Sequence, residues 1–242
     1  MSEVGSSAPK SRLERSDFES IVVECDEETR RQFLDLFSEE IEGVVDGLME
    51  AYAAIHDSTP SLQGDLRAAW IEGFLYSALD CIATSTKLLL MGLAIPAGNL
   101  MRQFGEACAM ALLCSHQDLG VVQRLQSEHG YPTHQAIDAI AQKKNRDVLD
   151  VDAEGWETFT EITKWYSGFS HASRLGVAAD LLFGGEGGYF IGGGFDEEKT
   201  EEYRKELRLR GSACQVLADM AGRVIRMASR AQEAGLLQED ST

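Results

Sequence analysis

From residue 88 to residue 115 the chain carries only two charged side chains, Arg102 and Glu106. Met101, Phe104, Cys108 and Leu112 recur as one helical stripe, while Leu100, Ala107 and Met110 fill other faces. A helix that is apolar nearly all round has no side to give to water, so it belongs at the centre of a bundle or in a bilayer. Length decides between them. The uncharged run 88–101 has 14 residues and contains Pro96 and Asn99, whereas a spanning helix needs roughly 20 apolar residues. A central helix over residues 96–115 follows, and Gly92, Ala94, Ala97, Gly98, Gly105 and Ala109 leave room for neighbours to come close.

The remaining segments carry the helical period as well. Phe33, Phe37, Ile41, Val44, Leu48, Tyr52 and Ile55 predict one amphipathic helix over residues 30–55. Residues 56–64 read as a linker, in which Thr59 before Pro60 fits an N-cap followed by Pro at the first helical position, and a helix follows over residues 65–91. Gly130, Tyr131 and Pro132 break the chain, and Thr133 can cap a helix to about Asn145. Trp156, Phe159, Ile162, Tyr166 and Phe169 mark another helix from about Ala153, continuing with a kink to Phe183. Residues 184–194 hold seven glycines around Tyr189, Phe190 and Ile191, which suits a loop or small hairpin. Asp196 caps a last helix to about Ala234, with Leu207, Cys214, Leu217, Ala221, Val224, Ala228 and Ala231 inward. The expected fold is all-α, a bundle of six or seven helices in one domain over residues 17–234. Residues 1–16, rich in Ser, Gly and charge, read as a disordered tail, and 235–242 as a second tail.

Charge limits the partners. In 242 residues, 40 acids face 22 bases, a net charge of -18, and the first fifty residues hold 14 of the acids against 5 bases. Such a surface repels bulk duplex DNA and anionic membranes, because phosphate neutralisation needs a basic face. The expected partners are a basic protein or RNA, with a homodimer left open. No apolar run follows the charges of residues 1–16, so they do not read as a secretory signal. Five cysteines (Cys25, Cys81, Cys108, Cys114 and Cys214) at irregular spacing, without a Cys-x-x-Cys pair, fit a reduced cytoplasm.

Three constellations carry chemistry. Arg102 and Glu106 are one turn apart in the most apolar helix, where two charges are tolerated only if paired or used; they read as a structural ion pair or as part of a site. Tyr166, Ser170, His171 and Ser173 put three hydroxyls and an imidazole within two helical turns; His171 is either a satisfied core residue or a proton-transfer group. Arg124 and His129, separated by four residues, form a further basic pair. There is no Glu-x-x-His, no Cys/His quartet and no acidic calcium loop, so neither a metal nor a cofactor is expected. The glycine cluster lacks the Gly-Lys-Ser/Thr ending of a phosphate loop.

The Arg-x-x-x-Glu helix at Arg102 and Glu106, followed by Ser170-His171-x-Ser173, a glycine-rich turn and a final charged helix, resembles a group of bacterial all-helical proteins that are distantly HEPN-like. The Arg124–His129 spacing is similar to the motif of the HEPN ribonucleases. The resemblance covers residues 65–231 and implies a helical fold. It also implies a metal-independent ribonuclease of bacterial stress or phage defence. In that reading Arg102 holds a phosphate, Glu106 orients it and His171 moves the proton, with Tyr166, Ser170 and Ser173 binding. The alternative is a non-enzymatic acidic protein, immunity- or antitoxin-like, that takes a basic partner.

Overall fold

The structure is a computed structural model that describes residues 14–24, 26–59, 66–127, 130–169, 174–182, 188–189 and 191–239. Its helices run α1 (Arg15–Val23), α2 (Glu27–Leu36), α3 (Ser38–Ser58), α4 (Leu66–Leu90), α5 (Ala94–Cys114) and α6 (Val121–Leu125). They continue with α7 (Ala136–Ala141), α8 (Lys143–Leu149), α9 (Ala153–Ser167), α10 (Arg174–Asp180) and α11 (Thr200–Glu239). The chain is all-α. A two-residue antiparallel ladder, β1 (Leu181–Leu182) on β2 (Gly188–Tyr189), pairs Leu181 with Tyr189. This ladder touches the stretch 184–194 expected as a loop or small hairpin only at Gly188 and Tyr189; residues 183–187 and 190 lie outside the described residues.

Helix α5 lies at the centre. Every residue from Ala107 to Ser115 is buried, and α4, α7, α9, α10 and α11 all pack against it. Two close pairings frame the bundle, α4 along α5 and α3 along α11. Small residues make both approaches close: a Cβ on Gly105 would lie 2.7 Å from Thr163 Oγ1 of α9, and one on Gly47 of α3 would lie 2.8 Å from Cys214 Cβ of α11.

Helix starts follow capping chemistry. Asp26 accepts from the amides of Glu28 and Thr29 at the head of α2. Asp152 accepts from Gly155 N at the head of α9. Asp196 accepts from Glu198 N and opens a short 3₁₀ turn into α11. In each case a carboxylate satisfies amides that have no partner within the helix.

Several boundaries differ from the sequence reading. The segment 30–55 is two helices, because the backbone turns out of the helical region at Phe37 (φ -129°, ψ 28°). The break is stabilised by burial: Phe33 and Phe37 pack with Phe195 and Tyr203 in a second, aromatic cluster. Thr59 ends α3 rather than capping the next helix, its hydroxyl donating to Ile55 O at 2.7 Å. The span 133–145 is a 3₁₀ turn followed by α7 and α8, parted at Gln142, whose extended backbone (φ -66°, ψ 127°) stops the first helix. Helix α1 starts inside the stretch read as an N-terminal tail, and α11 runs on to Glu239. Short helices raise the number of helical segments above six or seven: α6, α7, α8 and α10 have five to seven residues each.

Candidate functional site

Arg102 and Glu106 do pair, at 3.0 Å, but at the margin of the core and not inside it: their side chains keep 28% and 17% of their exposure. Position on α5 explains this. Gly105 meets Thr163 on α9 and Gly98 meets Phe169, just past its end, and Arg102 and Glu106 lie beside that seam. Water still reaches both groups, so the desolvation cost expected of a fully buried pair is reduced. His171, Ser170 and Ser173, the other residues assigned to this site, lie outside the described residues.

The remaining binding candidate, Tyr166, is tied to residues that the sequence reading did not single out. It is buried, and its hydroxyl donates to Glu206 Oε2 at 3.0 Å. The same oxygen accepts from Arg210 Nη1 at 2.7 Å, and Nη1 also donates to Glu206 O at 2.8 Å. Nε and Nη2 of Arg210 both donate to Ser85 Oγ, at 3.1 and 2.9 Å, and the Ser85 hydroxyl donates to Ala97 O at 2.7 Å. One network thus ties α4, α5, α9 and α11 together. The serine uses its single donor and both acceptor positions, and Arg210 uses four of its five N–H groups. Burial, together with the Glu206 carboxylate, pushes the Tyr166 phenol well above its usual range, so it stays neutral and donates.

Sequence reasoning overlooked Arg210 and Glu206. A signal was available: Leu207, Arg210, Cys214 and Leu217 follow the alternating three- and four-residue steps of the inward stripe, so Arg210 stands at a core position.

Arg124 is exposed, and its guanidinium donates to Leu119 O at 3.1 Å and Gly120 O at 3.4 Å while lying 4.6 Å from the Tyr131 ring centroid. Those contacts fix a turn. Its proposed partner His129 lies outside the described residues. Among the described residues no group of three or more His, Cys, Asp or Glu could hold a metal ion, and no helix is long and apolar enough to cross a membrane.

The chain matches no family model, no curated protein and no solved structure. Function has to be read from its own surfaces.

The most distinctive surface is α3. From Gln32 to Leu66 the sequence has eight acids and neither Lys nor Arg. Of the acids on α3, Glu40 is neutralised across the bundle, by Arg204 Nε at 3.1 Å and Arg208 Nη2 at 3.3 Å, and Asp57 meets His56. Glu39, Glu42, Asp46 and Glu50 are exposed and form no ion pair among the described residues. Glu42, Asp46 and Glu50 stand at successive four-residue steps, an arrangement that costs a helix a few tenths of a kcal/mol per pair. Beside this row runs an apolar one: Val45, Met49 and Tyr52 are 49%, 67% and 49% exposed, at spacings that place them on one helix face. On its other side the acidic row borders a groove of about 490 Å³ between α3 and α11, where Arg208, Ser212 and Gln215 form the far wall.

The thiols are chemically quiet. Cys81, Cys108, Cys114 and Cys214 are buried and unpaired. Burial pushes Cys81 and Cys214 up to about 11 and Cys114 up to about 12, far from the depressed values of reactive cysteines. Cys25 lies outside the described residues.

Proposed function

We propose that this chain is a non-enzymatic binding protein, immunity- or antitoxin-like, whose α3 face receives a basic amphipathic helix from a protein partner in the cytoplasm. The observation that carries this reading is the unneutralised row Glu42, Asp46 and Glu50 running beside the exposed row Val45, Met49 and Tyr52. Apolar anchors supply affinity by burial, and the flanking carboxylates supply selectivity and speed of encounter for a cationic partner. A net charge of -18 extends the attraction beyond contact distance and disfavours RNA. Holding like charges one turn apart on a helix costs stability, and a waiting partner accounts for that cost.

The metal-independent, HEPN-like ribonuclease is the weaker reading. Arg124 spends its guanidinium on the carbonyls of Leu119 and Gly120.

Shift mapping tests the proposal. An isotope-labelled sample titrated with a helical lysine/leucine-patterned peptide should show amide shifts centred on α3 and the facing turns of α11. Shifts centred elsewhere, or none, overturn it.

A further inference from the structure

On the opposite side of α11 from its contact with α3, the Tyr166–Glu206–Arg210 network borders a cavity of about 550 Å³, within the range of about 300–1,000 Å³ typical of small-molecule sites. Its walls are mainly apolar. Leu89 comes from α4, Ala94 from the start of α5, Trp165 from the last turn of α9, Phe169 from just beyond it, and Leu209 from α11. Trp165 is 53% exposed, a large aromatic at the mouth that the bundle itself does not need for its core.

The polar groups of the wall determine which ligand would suit it. Arg210 is committed to Ser85 and Glu206. Lys199 donates to Ala178 O and Ala179 O at 3.1 and 2.8 Å, closing the end of α10. The Tyr203 hydroxyl accepts from Asp196 N. Lys205, Glu198 and Glu202 are exposed and solvated. Glu206 differs from all of these. Both its hydrogen bonds from side chains, from Tyr166 and Arg210, fall on Oε2, and Oε1 accepts none among the described residues. The open valence of the wall is therefore an acceptor on a carboxylate that is 19% exposed.

The geometry points to a binding site for a small amphiphilic amine, its apolar body between Leu89, Phe169 and Leu209 and its ammonium group on Glu206 Oε1. A fatty-acid-like anion finds no buried partner there: Arg210 and Lys199 are already engaged, and Lys205, the third cation of the wall, is exposed to solvent. This site is independent of the α3 surface: it uses the other flank of α11 and asks for charge of a donor, not for a protein helix.

Calorimetry and tryptophan fluorescence with decylamine, decanol and decanoate, each below its micelle concentration, test the assignment. Decylamine should bind saturably, decanol more weakly, and decanoate at least about tenfold more weakly than the amine. Ala94→Phe, which fills the cavity without touching the polar network, should abolish saturable binding of decylamine. Glu206→Gln should erase the preference for amine over alcohol in a folded sample. If Glu206→Gln does not fold, the Ala94→Phe result and the ligand order still decide the matter. No saturable binding, equal binding of decylamine and decanoate, or unchanged binding by Ala94→Phe would each overturn the proposal.

Discussion

The guanidinium of Arg210 meets the carboxylate of Glu206 one turn earlier on α11 at 2.7 Å, with the arginine side chain only 1% exposed. A charge at that depth persists because each side of the fork is occupied, by Glu206 on one side and Ser85 on the other. The same network locks α9 to α11 through Tyr166, so it fixes the relative placement of the helices around the cavity.

Losing Glu206 should therefore cost more than losing Arg210. Glu206→Ala strands the arginine and should destabilise by about 3–5 kcal/mol in urea unfolding. Arg210→Met keeps the volume and leaves Glu206, which is partly open to solvent; its cost should be less than half as large. The reverse order would show that the network is not what holds Arg210.

Why this network escaped the sequence reading is a matter of background. In α5 two charges stand out against apolar neighbours, so Arg102 and Glu106 drew attention although they lie at the core margin. In α11 charge is abundant, so a fully buried arginine looks like its solvated neighbours unless the register of Leu207 and Cys214 is followed through it. Legibility tracked burial on all sides: α5, with no polar face, was placed correctly as the central helix. The break at Phe37 was hidden because Phe33, Phe37 and Ile41 keep four-residue steps across it, and periodicity records which side is buried rather than backbone continuity. The acidity of the α3 face was legible as an excess of acids; that Glu40 alone is bridged by α11 arginines required the fold.

Two glycines one turn apart on α3 should respond in opposite directions. At Gly43 an added Cβ meets nothing within 4 Å, so Gly43→Ala should stabilise by up to about 1 kcal/mol through helix propensity. At Gly47 it would lie 2.8 Å from Cys214 Cβ, a contact with no flexible end to yield. Gly47→Ala should destabilise by about 1–3 kcal/mol as α3 is pushed off α11. Thermal melts of the two variants read the difference, and equal shifts would remove the close α3–α11 approach from the account.

Acid should weaken the start of α2 specifically. Hydrogen bonds from the Thr29 side chain and amide, and from the Glu28 amide, hold Asp26 below its usual 3.8. Because the folded value is depressed, this carboxylate contributes its stability above about pH 4, and the contribution is lost as pH falls through the lower folded value. Asp26→Ala should cost about 1 kcal/mol near neutrality, and the gap from wild type should close below pH 4. A gap independent of pH would mean that the carboxylate charge plays no part in the cap.

The central claim is that the exposed acids of α3 serve a basic partner. Its most direct test is calorimetric titration of a lysine/leucine-patterned helical peptide into the wild-type chain and into the triple variant Glu42→Gln, Asp46→Asn, Glu50→Gln. Removing like-charge neighbours at four-residue spacing should leave the melting temperature equal or higher, so lost binding cannot be ascribed to lost folding. Wild type should bind with an affinity that falls as salt is raised, and the triple variant should bind at least about tenfold more weakly. Equal affinity for the two proteins, in a variant that melts no lower than wild type, would contradict the account.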